Sequence, residues 1–133
     1  MSPPRGIRNN NPGNIRLSNI QWRGQVTKDQ QTDPAFIQFV SPIFGIRAIV
    51  RILRTYEKQG VNTIREAIER WAPSTENDTE AYVKAVAGDA GVGPDDVLSL
   101  DTKMPEIVKA IIRHENGLQP YSDDQVTQAI AAA

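Results

Sequence analysis

Met104-Pro105-Glu106-Ile107-Val108-Lys109-Ala110-Ile111-Ile112-Arg113-His114-Glu115-Asn116-Gly117 is the stretch that decides the fold class. Ile107, Val108, Ala110, Ile111 and Ile112 recur at helical spacing, so Met104 to His114 is predicted to be the most hydrophobic helix, with its apolar face in the core. Gly117 supplies the stop, because glycine enters the left-handed conformation without a Cβ penalty. Beyond it, Ser122 is placed to cap a last helix through Val126 and Ile130. Upstream, Ile43 to Gln59 carries Ile46, Ile49, Val50, Ile52, Leu53 and Tyr56 at helical spacing, with Gly60 as terminator. Thr63 and Glu66 read as a capping box opening a helix through Ile64, Ala67, Ile68 and Trp71 that Pro73 ends. Asp78 or Thr79 caps another, through Tyr82, Val83 and Val86 toward Gly91. Pro94 to Leu100 is predicted to be a short helix, since proline at a first helical position loses no intrahelical donor.

Residues 5 to 40 break this pattern. Asn, Gly, Pro and Gln dominate, and the composition shifts near Pro42. Asn14-Ile15-Arg16-Leu17 and Ala35-Phe36-Ile37-Gln38-Phe39-Val40 are predicted short strands, the second with alternation around Gln38. The expected class is mainly α (α+β), a helical domain with a small β-hairpin region near the N-terminus. A chain of 133 residues fits one domain, 1–133, able to bury roughly two-thirds of its unfolded surface. Residues 1–4 and 131–133 are expected to be disordered.

Fifteen Lys and Arg against sixteen Asp and Glu argue against a partner held by bulk electrostatics, so no nucleic acid is expected, although Arg5, Arg8, Arg16 and Arg23 offer a local basic patch. The lack of cysteine and the single histidine exclude disulfides, thiolate metal sites and a His-rich metal centre. No cofactor is called for. The start has no apolar signal region, and no run approaches the roughly 20 apolar residues of a membrane span. The expectation is a monomer made in the cytoplasm, not exported by its own signal and without stable membrane insertion.

Two motifs carry chemistry. Arg5-Gly6-Ile7-Arg8-Asn9-Asn10-Asn11-Pro12-Gly13-Asn14-Ile15-Arg16 looks like a carbohydrate-reading loop. Asn10, Asn11 and Asn14 offer amide donors and acceptors for N-acetyl groups and hydroxyls, Gly13 permits a positive φ, and Arg16 is suited to a carboxylate. Ordinary Asx turns explain the same asparagines. Trp22 either stacks on a sugar face or closes a turn beside Arg23-Gly24. Glu115 stands at the end of the apolar helix, where the negative end of the dipole and apolar packing both disfavour an ionised carboxylate, the condition for a general acid. The competing reading is a solvated helix-end charge. His114 beside it points about 100° away and reads as a packed surface residue or a helix-end cation. Glu76, in the polar loop after Trp71, is suited to sugar contacts. Thr79 and Tyr82, one turn apart, either reach the same cleft or serve as cap and core aromatic.

The segments NNPGNIR, QWRGQV, Thr32-Asp33 and AFIQFVSPIFGIRAIVRILRTY resemble the region that follows the catalytic Glu in lysozyme-like peptidoglycan hydrolases, especially β-N-acetylglucosaminidases of the flagellar and autolysin type. MPEIVKAIIRHENGLQPYS resembles their Glu-bearing helix, an ending shared with lytic transglycosylases. Glu115 follows the loop here instead of preceding it, which implies a circularly permuted lysozyme-like domain; surface termini that lie close together make permutation tolerable. The sequence also resembles small phage proteins bearing RGIRNNNPGNIR, described as virion structural proteins or endolysins. The resemblance implies a lysozyme-type muramidase acting on peptidoglycan glycan strands for cell-wall lysis, with Glu115 as acid and Asn10, Asn11, Asn14, Arg16, Trp22, Glu76, Thr79, Tyr82 and Tyr121 as substrate contacts. Asp33 is the candidate base for inversion, which needs carboxylates roughly 6.5 to 9.5 Å apart, and Thr32 a water-positioning group. Otherwise Asp33 is a turn cap and the substrate's N-acetyl group assists, giving 1,6-anhydro products as in lytic transglycosylases. The other alternative is a noncatalytic virion or wall-binding component. Without a signal peptide, the chain would reach the wall after holin-type release, by injection, or within a virion.

Overall fold

The computed structural model describes residues 2–74 and 78–133, and they form a mainly helical molecule. The helices are α1 (Arg5–Arg8), α2 (Pro42–Lys58), α3 (Ile64–Trp71), α4 (Thr79–Ala90), α5 (Met104–Asn116) and α6 (Asp123–Ala131), with 3-10 turns at Lys28–Gln30 and Leu100–Lys103. The local chemistry sets most of the boundaries. Thr63 Oγ1 accepts the Glu66 amide at 3.1 Å, Asp78 Oδ1 the Ala81 amide at 3.2 Å, and Ser122 exchanges bonds with Gln125 in a capping box. Gly91 and Gly117 end α4 and α5 at φ of 71° and 78°.

Helix α5 is the hub, packed against α1, α2, α4 and α6. Its Ile107, Val108, Ile111 and Ile112 are fully buried and meet Ile46, Ile49 and Leu53 of α2, Ile64 and Ile68 of α3 and Val83 and Val86 of α4 in one cluster. Burial of each such side chain is worth about 1.5–3 kcal/mol. A second, smaller cluster of Ile37, Phe39 and Ala48, flanked by Ile15, Leu17, Trp22 and Phe44, joins the N-terminal segment to another face of α2.

That segment is not the expected hairpin. Among the described residues it makes only two isolated antiparallel bridges, Arg16 with Phe36 and Gln25 with Phe39. Side chains occupy the backbone groups that a longer ladder would use. Buried Asn11 donates through Nδ2 to the carbonyls of Ile15 and Ile37 and accepts the Ile15 amide. Asn10 caps the Phe39 carbonyl, Gln31 the Phe36 carbonyl, and Asp33 takes the amides of Ala35 and Phe36. The backbone is satisfied, as burial requires, without a sheet.

The helix expected over Pro94 to Leu100 is absent: 94–99 is turn and irregular chain, and Leu100 opens the 3-10 turn. The segment's polar groups are committed outward: the Arg65 amide donates to the Pro94 carbonyl, the Leu98 amide to the Asn62 carbonyl, and Gly93 N–H to Asp96. Both described ends make contacts with the helical body. Arg8 bonds the Pro3 carbonyl, and Arg47 and Arg54 of α2 bond the carbonyls of Ala132 and Ala133. No helix among the described residues is long and apolar enough to cross a membrane.

Candidate functional site

Glu115 and the Asn-rich loop, 101 positions apart for the pair Asn14 and Glu115, meet at one cleft of about 450 Å³. The last turn of α5 presents two consecutive residues to the loop. Glu115 Oε1 accepts from Asn14 Nδ2 at 3.0 Å, while buried Asn116 Nδ2 donates to the Pro12 carbonyl at 2.8 Å and back to the Ile112 carbonyl at 2.9 Å. The helix end therefore clamps the loop and aims a carboxylate beside it.

Close approach, not a left-handed φ, explains Gly13. A Cβ there would lie 2.8 Å from Ile49 and 3.0 Å from the Trp71 ring, so the loop rests directly on the tryptophan. The positive φ angles fall on Asn10 (53°) and Asn14 (51°), a region that asparagine tolerates better than most residues. Gly6 of α1 closes the back of the site, where a Cβ would meet Asn116 Oδ1 at 2.5 Å and Asn14 Oδ1 at 2.8 Å.

Tyr82, buried on α4, donates its hydroxyl to Glu115 Oε2 at 2.9 Å. Burial, then the neighbouring Glu115 charge and their hydrogen bond, push the phenol far above its ordinary pKa, so it stays a neutral donor. His114 stacks on the outer face of Tyr82 with centroids 3.8 Å apart. Both carboxyl oxygens thus have a fixed partner, and each keeps a second lone-pair site.

Trp71, Tyr56, Phe36, Ile52 and Ile15 supply the remaining walls, and Arg16 the cation. Arg16 sits over the Phe36 ring at 5.0 Å, with no ion-pair partner among the described residues. Trp22 lies in an adjoining depression that shares Ile52 and Tyr56 with the cleft.

The other expected site residues have structural jobs. Asp33 is ion-paired to Arg5 through two bonds of 2.6 and 2.7 Å and accepts from Asn9, Ala35 and Phe36. The Arg5 guanidinium, followed by these amides, holds it well below the usual carboxylate range. It is a turn cap with no wall in the cleft, rather than a base facing Glu115. Thr32 bonds Gln38, Asn10 and Asn11 hold backbone carbonyls, and Thr79 Oγ1 donates to the Ala72 carbonyl at 2.6 Å behind the cleft wall. Tyr121 packs in the core, where burial raises its pKa. Glu76 lies outside the described residues. Sequence reasoning missed Trp71, Tyr56 and Phe36 as cleft walls. The available signal was an aromatic at the last position of a helix before Ala72-Pro73.

Fold and site together define a small helical protein in which a helix-end carboxylate and an asparagine loop close an aromatic cleft. The chain belongs to the family of protein P5 of Pseudoalteromonas phage PM2, to which it is 44% identical over 126 residues, 92% of this chain and 77% of that protein. No protein-family model matches it.

Proposed function

We propose that the cleft binds and cuts peptidoglycan glycan strands, with Glu115 as the general acid. The observation that carries this is the seating of Glu115 between Asn14 and Tyr82 in a cleft walled by Trp71, Tyr56 and Phe36. Aromatic faces suit sugar rings, and a rigid helix end suits a proton donor whose position must be fixed. In this reading the Glu115 proton passes to the leaving oxygen as the bond between N-acetylmuramic acid and N-acetylglucosamine breaks. Water then adds at the anomeric carbon and gives its proton to the Glu115 carboxylate, giving a muramidase, or the sugar's own 6-hydroxyl adds and loses its proton in the same way, giving a 1,6-anhydro end. Arg16 takes the lactyl carboxylate. The domain is then a lysozyme-like arrangement with its Glu helix placed after the loop, acting on the wall during lysis or from a virion.

The second reading is a glycan-binding component that does not cut. It is favoured by the hydrogen bonds already made by both oxygens of Glu115, which suit a strut as well as an acid. Digestion of purified peptidoglycan by wild type and Glu115→Gln, with products separated by mass, decides between them. Soluble muropeptides from wild type and none from the variant are expected. Equal digestion by both removes Glu115 from the chemistry, and glycan bound without products by either leaves the binding reading.

A further inference from the structure

Beside the cleft lies a depression of about 230 Å³, walled by Ile20, Trp22, Ile52, Thr55 and Tyr56 and edged by Arg51. Ile52 and Tyr56 form the ridge between the two, with one side of each turned to Glu115's cleft and the other to this one.

The depression has an apolar floor and a basic edge. Ile20, 55% exposed, supplies apolar surface at its mouth. Arg51 stands one helical turn from Arg47 on α2, and Arg23 follows Trp22 in the loop. None of the three has a carboxylate partner among the described residues, whereas Arg5, Arg54, Arg65, Arg70 and Arg113 all do. Arg47 is anchored on the Ala132 carbonyl at 2.9 Å, while Arg23 and Arg51 are exposed. Burial lowers the Arg47 pKa, and the charges of Arg23 and Arg51 add to the effect, as expected of guanidinium groups gathered without a counter-ion.

We propose that this depression is a second subsite, which receives a carboxylate-bearing peptide branch of the glycan strand while the sugars occupy the Glu115 cleft. The proposal rests on the glycan reading above. Peptide branches of the wall combine small apolar side chains with free carboxylates. Ile20, Trp22 and Ile52 match the former, and the forked donors of Arg51 in the lining, with Arg23 next to Trp22 outside it, match the latter. Continuity across the Ile52–Tyr56 ridge favours this occupant over a membrane surface, which needs no groove.

The test uses glycan fragments of matched sugar length, with and without their peptide branches, titrated into Glu115→Gln so that the ligand stays whole. Branched fragments should bind about tenfold more tightly, the effect of one well-placed charge-assisted contact. The double substitution Arg23→Gln with Arg51→Gln should abolish that advantage and leave the affinity for unbranched fragments unchanged. In the wild-type background the same pair should raise KM for branched substrate at constant kcat. Equal affinity of the parent for both fragments overturns the subsite, as does an advantage that survives the double substitution. Loss of phosphatidylglycerol-vesicle binding in the double variant, with no change on branched glycan, reassigns the patch to a membrane and also overturns it. Failure of both fragments to bind overturns the glycan reading itself, and the subsite with it.

Discussion

The hydroxyl of Tyr82 is a single atom on which the site turns. It donates a hydrogen bond to Glu115 and is held neutral by burial, so it fixes one carboxyl oxygen while Asn14 fixes the other. Tyr82→Phe keeps the ring on His114 and deletes only the bond to Glu115. A hydrogen bond to a charged group contributes about 1.5–3 kcal/mol. If Glu115 is the acid, kcat on peptidoglycan should fall roughly 10- to 100-fold with KM little changed. An unchanged kcat with an intact near-ultraviolet spectrum would show that the phenol does not position the acid. Glu115, Asn14 and Arg16 stand in short polar motifs of the sequence, and the fold brings them to one cleft, which Tyr82 meets only through its hydroxyl from the core. Trp71 and Tyr56 were not legible in the sequence, since a half-buried aromatic on an amphipathic helix has the same periodicity whether it faces a core or a cleft. Asp33 misled for a related reason: its ion-pair partner Arg5 lies 28 positions away, and no local pattern joins them.

Elements differ in how much of their cause is local. Helices α2 to α6 follow from apolar spacing, caps and terminal glycines, all within a few residues. The segment 9–40 is instead ordered by side chains reaching across it, which spacing does not encode, and the predicted strands were lost there. Asp33 is its chief fastener, joining α1 to the turn at Ala35 and Phe36. The pH behaviour follows from its depressed pKa. An unfolded aspartate titrates near about 3.9, so the folded chain binds fewer protons than the unfolded chain as pH falls past that value. The stabilisation from Asp33 is therefore complete above about pH 4 to 5 and lost progressively on further acidification. Asp33→Asn should lower the denaturant midpoint at neutral pH, and the gap to wild type should narrow steadily as pH drops from about 5 toward 2. A gap that stays constant across that range would mean that the carboxylate charge contributes nothing.

At the scale of the whole molecule, two hydrophobic clusters share one helix. α2 gives Ile46, Ile49 and Leu53 to the larger and Ala48, with Phe44 beside it, to the smaller. The cleft lies at their junction, lined by Ile15 and Phe36 from the N-terminal layer and by Trp71 and Glu115 from the helical body. Relative motion of the layers would open or close it, and the clamp of Asn116 on the Pro12 carbonyl opposes that motion. Ile37 is fully buried in the smaller cluster, and Ile37→Ala should cost that cluster about 2–5 kcal/mol. Local openings can have free energies well below the global one where a region has its own packing. Amide exchange in Ile37→Ala should then accelerate across residues 15–40, while the core amides of α4 and α5 slow-exchange as in wild type once the change in global stability is subtracted. If all protected amides accelerate by the same factor, the two clusters unfold as one unit, and the cleft is rigid rather than hinged at α2.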